Sequence, residues 1–372
     1  MKQGLFIGMC CLLALGSQGQ QKYLFIGTYT ENAQQGIHVL KFDENTAETK
    51  EVSVTPSVNP SYLAISPDNK FLYAVNENGG GNGAVSAYQF NSSNGTLTFI
   101  NSRPSGGDHP CHVVLDKSGR WLVVSNYSGG NFSIYPVDKD GAIGAAVQVV
   151  QHKGTGANKN RQEKAHVHSA AFSPDGKYLL IMDLGIDKIM IYNFNKVTGK
   201  VSSAKQAFES VLPGSGPRHF TFSPGNKFAY LVEELSGTVT VYAYHEGRLT
   251  RLQSISSLPP GATIMNHDAG SADIHISPDG NFLYASNRGT ANNIAIYAVD
   301  KQSGNIKSIG FQPVLGKAPR NFNFDPSAKY LLVTNQNTNE VVIFERDMHT
   351  GMLSDTGKRI KVFKPVCLKW LN

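Results

Sequence analysis

Pro60-Ser-Tyr-Leu-Ala-Ile-Ser-Pro67, a turn at Asp68-Asn69, then Phe71-Leu-Tyr-Ala-Val75: this run opens the clearest repeat in the chain. A Gly-rich turn leads to Ala84-Val-Ser-Ala-Tyr-Gln-Phe90, and a second turn at Asn94-Gly95 leads to Thr96-Leu-Thr-Phe-Ile100. Each piece is short, rich in β-branched and aromatic residues, and bounded by turn formers, the signature of an antiparallel strand. Four such strands in succession make one propeller blade.

Working outward, the second strand recurs seven times: Tyr23–Gly27, Phe71–Val75, Trp121–Ser125, Tyr178–Met182, Phe228–Val232, Phe282–Ser286 and Tyr330–Thr334. The third strand keeps the same count: Gly36–Phe42, Ala84–Phe90, Asn131–Val137, Lys188–Phe194, Thr238–Tyr244, Asn293–Val299 and Glu340–Arg346. First strands open near Pro60, Pro110, Val167, Pro217, Ser271, Pro319 and Pro365. The repeats begin on a second strand and end on a lone first strand, Pro365–Leu371. Pairing the two ends closes a ring and leaves no bare edge. The sequence therefore predicts an all-β, seven-bladed β-propeller, one domain over residues 20–372. A solenoid would need capping repeats, and the sequence shows none.

The 372 residues are 40% hydrophobic and 17% charged, with a formal charge of +6. That charge is spread along the chain with no dense Lys/Arg cluster, which argues against nucleic acid. Residues 1–19 differ from the rest: Lys2, an apolar run from Leu5 to Leu15, then small residues at Ala14/Gly16 and Ser17/Gly19. This is the layout of a cleaved secretory signal peptide, too short for a membrane span, and it predicts an exported, periplasmic or secreted protein. Cys10 and Cys11 lack the preceding small residues of a lipoprotein signal. Cys111 and Cys367 open first strands two blades apart, so no disulfide is expected.

Innermost first strands pair antiparallel with second strands, so first-strand starts and second-strand ends share one face. The starts supply Tyr62, His112, His166, His168, Arg218, His219, Asp273, Arg320 and Asn321. The ends supply Asn76, Glu77, Asn126, Asp183, Glu233, Glu234, Asn287, Arg288, Asn335 and Gln336. Asparagines at strand ends commonly satisfy loop backbone, and that structural reading is preferred for the Asn set. Histidine, arginine and glutamate converging on one mouth point instead to a concave binding site.

Several of these motifs carry a resemblance. Arg161-Gln-Glu-Lys-Ala-His-Val-His168, Asp183-Leu-Gly185, Gly216-Pro-Arg218-His219, Glu233-Glu234-Leu235, Ser286-Asn-Arg288, Lys317-Ala-Pro-Arg320-Asn321 and Pro365-Val-Cys-Leu-Lys369 resemble the propeller-type 6-phosphogluconolactonase family across the whole chain after the leader. More distantly, the chain is similar to the fungal carboxy-muconate lactonizing enzymes. The resemblance implies a lactone hydrolase with no cofactor and no metal, acting on a small-molecule lactone, and a monomer is expected. It implies His168, Arg218, Glu234 and Arg288 as catalytic residues, with His166 and Glu233 as alternatives. His112, His166, Arg161, His219, Glu233, Arg320 and Asn321 are the expected substrate-binding residues.

These residue types suit that chemistry. Histidine near its ordinary pKa can activate water, and an arginine fork can hold a carboxylate, a phosphate or a developing oxyanion. Arg218 and Glu234 also suit a structural ion pair. His166 and His168 alternate and would share a face, which suggests a metal, but no motif offers a third ligand. The Gly79–Gly83 run lacks the Lys-Ser/Thr ending of a phosphate loop. Substitutions at the open mouth are expected to leave folding intact. A cycloisomerase and a non-catalytic binding propeller are the competing readings.

Overall fold

The computed structural model describes residues 21–371; the expected leader, 1–19, lies outside them. Seven four-stranded antiparallel sheets form the molecule. Blade 1 takes its first strand, Pro365–Trp370, from the C-terminus and adds Gln21–Thr28, Gly36–Asp43 and Thr49–Pro56. Blades 2 to 7 follow in chain order, with first strands Leu63–Ile65, Pro110–Leu115, Val167–Phe172, Pro217–Phe222, Ser271–Ile276 and Pro319–Phe324. The closure is in register, Leu24 opposite Trp370 and Gly27 opposite Cys367. The seven-bladed all-β expectation holds. No helix among the described residues is long and apolar enough to cross a membrane.

Local chemistry explains the blade. Between first and second strands a Ser-Pro-Asp turn recurs, in which Ser66, Ser173 and Ser277 hydroxyls accept the backbone N–H of Phe71, Tyr178 and Phe282 at 2.9–3.0 Å. Asp116 and Asp325 do the same work in blades 3 and 7. Second strands are buried on both faces, as across Phe71–Asn76, whereas fourth strands such as Thr49–Pro56 are largely in contact with solvent. Neighbouring blades clasp through an aromatic and a turn glycine. Gly141 in blade 3 has φ +84°, and a Cβ there would lie 2.2 Å from the Phe71 ring of blade 2. Tyr73 Oη also donates to the Gly141 carbonyl. A related contact crosses the closure, where Tyr330 Oη of blade 7 donates to Asn45 O in a turn of blade 1.

One irregularity positions the site. Near the start of most first strands the register slips, so that one residue has no partner on the second strand. The extra residue is Val366 in blade 1, Cys111 in blade 3, His168 in blade 4, Arg218 in blade 5 and Arg320 in blade 7. In blade 6 the slip spans Ala272 and Asp273. A bulge breaks the in–out alternation and re-aims a side chain. Here it turns Val366, Cys111, His168, Arg218 and Arg320 onto the central axis.

Candidate active site at the upper mouth

The face where first strands begin holds a cavity of about 780 Å³, a size suited to a small ligand. Two sets of residues build it. The first is the bulge set, which contributes Cys111, His168 and Arg320. The second follows the end of six of the seven second strands by one residue: Tyr29, Glu77, Tyr127, Glu234, Arg288 and Gln336. Long loops add Arg161 and Asp268.

Glu234 is the hub. Its Oε1 accepts from Arg161 Nη2 at 2.8 Å and its Oε2 from Arg218 Nε at 2.7 Å, while Arg288 Nη2 forms an ion pair with Oε2 at 3.1 Å. Burial opposes ionisation of this carboxyl, but Arg288, Arg218 and Arg161 outweigh it and hold it well below the ordinary glutamate range. It is a fixed carboxylate, not a proton donor at neutral pH. Burial and nearby Arg288 push Arg218 down to about 10, so it stays charged.

Arg218 does not line the mouth. It lies behind Glu234, 1% exposed, with Nη1 donating to Ala272 O. The expectation of an open-mouth arginine is corrected: the bulge drives its guanidinium down the axis, where the Glu234 carboxylate holds it. Arg288 lines the mouth and spends Nε on Gly270 O and Nη2 on Glu234. Arg161 joins Glu234, the Tyr127 hydroxyl and Asp268. Arg320 differs from these three. Among the described residues its guanidinium makes no hydrogen bond; it lies 5.5 Å from the Tyr29 ring centre and 3.8 Å from Glu77 Oε2. Glu77 is itself held by the Tyr29 and Ser61 hydroxyls.

The histidines separate. His168 lines the mouth with Nε2 4.0 Å from Glu234 Oε2, and its buried Nδ1 has no partner. Burial, then the positive field of Arg218, lowers its proton affinity well below the ordinary value, so it is neutral. His166 precedes the bulge and does not share that face. It stacks on Tyr127 at 4.5 Å and bonds Tyr127 O and Glu163, which removes the paired-ligand geometry. His112 lies lower on the axis against Tyr62, and borders a second cavity of about 680 Å³ at the opposite mouth. His219 and Asn321 sit on the axis beneath the site, both bonded to Asp273.

Glu233 points away from the mouth, bonded to Thr240 and Ser236, and burial raises it to about 7. Asn76, Asn126, Asn287 and Asn335 each donate to a loop carbonyl, the structural role expected of them. Cys111 and Cys367 are buried thiols and form no disulfide. Tyr29, Tyr127 and Asp268 line the cavity and were not anticipated. The two tyrosines carry a signal, since they occupy the same offset past the second strand as Glu77, Glu234 and Arg288. Asp268 sits in a long loop with no repeat to mark it.

A closed seven-bladed ring that concentrates guanidinium, carboxylate and imidazole groups in one axial mouth defines a propeller enzyme for small polar substrates. The family model described as lactonase, 7-bladed β-propeller, matches residues 23–370, and the chain belongs to this family. It is 40% identical to the 6-phosphogluconolactonase of Formosa agariphila, over 91% of this chain and 96% of that one. It is 36% identical to the 6-phosphogluconolactonase of Bacillus subtilis, over 94% and 99%. The solved periplasmic gluconolactonase PpgL of Pseudomonas aeruginosa superposes with a TM-score of 0.89 at 37% identity, covering 94% of this chain and 99% of that one.

Proposed function

We propose that the protein hydrolyses a sugar lactone to its open-chain acid in the upper mouth, and that the preferred lactone is unphosphorylated. The observation that carries this reading is the Arg320 guanidinium, which makes no hydrogen bond among the described residues and lies 3.8 Å from Glu77 Oε2, beside neutral His168 in a mouth whose other arginines are spent on Glu234. Hydrolysis develops one negative charge on the lactone carbonyl oxygen, and a donor set fixed in advance stabilises it. Arg320 and the outer edge of Arg288 supply that set, and neutral His168 can polarise the carbonyl as a hydrogen-bond donor. Each guanidinium at the site faces a carboxylate, Arg161, Arg218 and Arg288 facing Glu234 and Arg320 facing Glu77, so no cluster of unpaired arginines awaits a phosphate dianion. The carboxylates instead suit the hydroxyls of a sugar, as acceptors.

Purified protein assayed by acid release should turn over δ-gluconolactone with a kcat/KM at least ~10-fold above that for 6-phosphogluconolactone, a gap of ~1.4 kcal/mol. The reverse ranking would overturn the substrate preference, and no turnover of any lactone would overturn the function. The leader pattern of residues 1–19 supports export, where unphosphorylated lactones are met. N-terminal sequencing of the protein from fractionated cells tests this: a start between Gly16 and Gln20 supports it, and an intact Met1 in the cytoplasm removes it.

A further inference from the structure

Directly below the mouth the axis holds a further, small cavity of about 10 Å³. It is bordered by His168, Arg218, His219, Arg320, Cys111 and Asn321. The upper cavity shares His168, Cys111 and Arg320 with it, so the small space forms the floor of the site. Its size admits about one water molecule and excludes any sugar.

His219 faces this space under unusual control. Its Nδ1 bonds Asp273 Oδ1 at 2.6 Å, which makes Nδ1 the protonated nitrogen and leaves the Nε2 lone pair as an acceptor. Nε2 is buried and has no partner among the described residues. Asp273 is fixed in turn by five donors: His219, His275 Nε2 at 3.0 Å, Asn321 Nδ2, and the backbone N–H groups of Ile274 and Phe322. A buried carboxylate that orients an imidazole whose far nitrogen opens on a water-sized space is the arrangement of a general base. His168 has no carboxylate within hydrogen-bond reach of its ring, Glu234 Oε2 lying 4.0 Å from Nε2, and Arg218, Arg288, Arg320 and His219 set the field around it.

We propose that the Asp273–His219 pair is the water-activating base of the lactonase, drawing the nucleophile from the axial cavity beneath the substrate. This rests on the lactone-hydrolysis reading above. The water gives one proton to His219 Nε2 while its oxygen forms a bond to the lactone carbonyl carbon. The carbonyl π pair moves onto oxygen and faces Arg320. The oxyanion pair then re-forms the C=O as the ring C–O bond breaks, the bond pair stays on the ring oxygen, and the proton on His219 passes to that oxygen. The new acid ionises to solvent and His219 is neutral again. His219 is the catalytic residue here, since it touches the reacting water, and Asp273 is a positioning residue.

Charges facing His219 set the pH range over which it works. Arg218 on its own strand, His168, His112 and Tyr62 across the axis on blades 4, 3 and 2, and Asp273 and His275 on blade 6 surround it. Burial and Arg218 lower it to about 4 and Asp273 opposes them, so the base is competent above that pH. kcat/KM for δ-gluconolactone in the parent should therefore fall on the acid side near pH 4. His219→Gln should cut kcat by about 10²-fold or more and abolish that limb, while His168→Gln should keep it. Asp273→Asn should lower kcat at little change in KM and move the limb to lower pH, a shift that a structural role would not produce. Ring-nitrogen NMR of the intact parent adds a readout that needs no variant: one histidine should carry its proton on Nδ1 and titrate near pH 4. A His219→Gln protein within twofold of the parent kcat, a surviving acid limb, or no Nδ1–H histidine in the parent would overturn the pair while leaving lactone hydrolysis standing. No lactone turnover by the parent would remove both.

Discussion

Arg218 donates its Nε–H to Glu234 Oε2 at 2.7 Å, with both side chains shut away from solvent. The pair is structural before it is anything else, because each charge would be stranded without the other. Arg218→Ala removes one of three guanidiniums on Glu234 and the bond to Ala272 O. Breaking a buried pair from one side costs about 3–5 kcal/mol. Denaturant unfolding should show a loss of that order, and Arg218→Lys should recover only part of it, since an ammonium cannot reproduce the fork. A variant as stable as the parent would refute the buried-pair account. The expectation that such a change leaves stability untouched assumed a rim position, and this arginine is in the axis.

Ring closure gives a second prediction. Pro365–Trp370 buries Val366, Cys367, Leu368 and the Trp370 ring, and Phe42 packs edge-on to that ring at 5.0 Å. Deleting Pro365–Asn372 strips these contacts and bares the edge of Gln21–Thr28. Burial of three large side chains alone is worth roughly 5 kcal/mol or more. The truncated protein should melt far below the parent or aggregate, as read by calorimetry and light scattering. A melting temperature unchanged within a degree or two would rule out the C-terminal closure.

Much of the site follows from repeat position. Seven second strands could be counted from alternation and turns alone, and the polar residues at their ends marked the working face. Two features were not visible. The bulge at most first-strand starts is a backbone register slip, and no residue type announces it; hence His166 and His168 looked like neighbours on one face when only His168 reaches the cavity. Long loops obey no repeat, so Asp268, which meets Arg161 across the mouth, could be placed only by the fold. Tyr29 and Tyr127 follow the second-strand ends Thr28 and Asn126 by one residue, the same offset as Glu77, Glu234 and Arg288.

Acid should destabilise the protein through its axial histidines. Burial depresses His112, His168 and His219, the last to about 4, whereas an unfolded chain holds histidine near roughly 6.5. Below roughly pH 6.5 the unfolded state binds protons that the folded state refuses, so stability rises with pH across this window and falls on acidification. Each depressed histidine contributes a slope of up to about 1.4 kcal/mol per pH unit. Glu234 adds a loss in the same direction at lower pH: its stabilisation is present above the unfolded glutamate value, roughly 4.3, and disappears as pH falls through its depressed folded value. Melting temperatures taken from about pH 7 down to about pH 4.5 should fall steadily, and less steeply in His219→Gln. A flat profile would mean that these imidazoles take up protons in the fold.

Arg320 is the arginine whose loss should separate function from stability. It makes no hydrogen bond to the described residues, and Glu77 keeps its Tyr29 and Ser61 donors without it. Arg320→Ala should therefore shift stability by no more than about 1 kcal/mol, in contrast to Arg218→Ala. If its guanidinium receives the oxyanion, kcat and kcat/KM for δ-gluconolactone should fall together by about 10²-fold, the scale of one lost oxyanion donor. Binding of the ground-state substrate would instead raise KM and leave kcat alone. Arg320→Lys keeps the charge but loses the planar fork held beside Tyr29, so partial recovery of kcat indicates charge and no recovery indicates geometry. Steady-state kinetics of the three proteins, with melting curves alongside, make the comparison. Full activity in Arg320→Ala would move the oxyanion to Arg288 and end the case for Arg320.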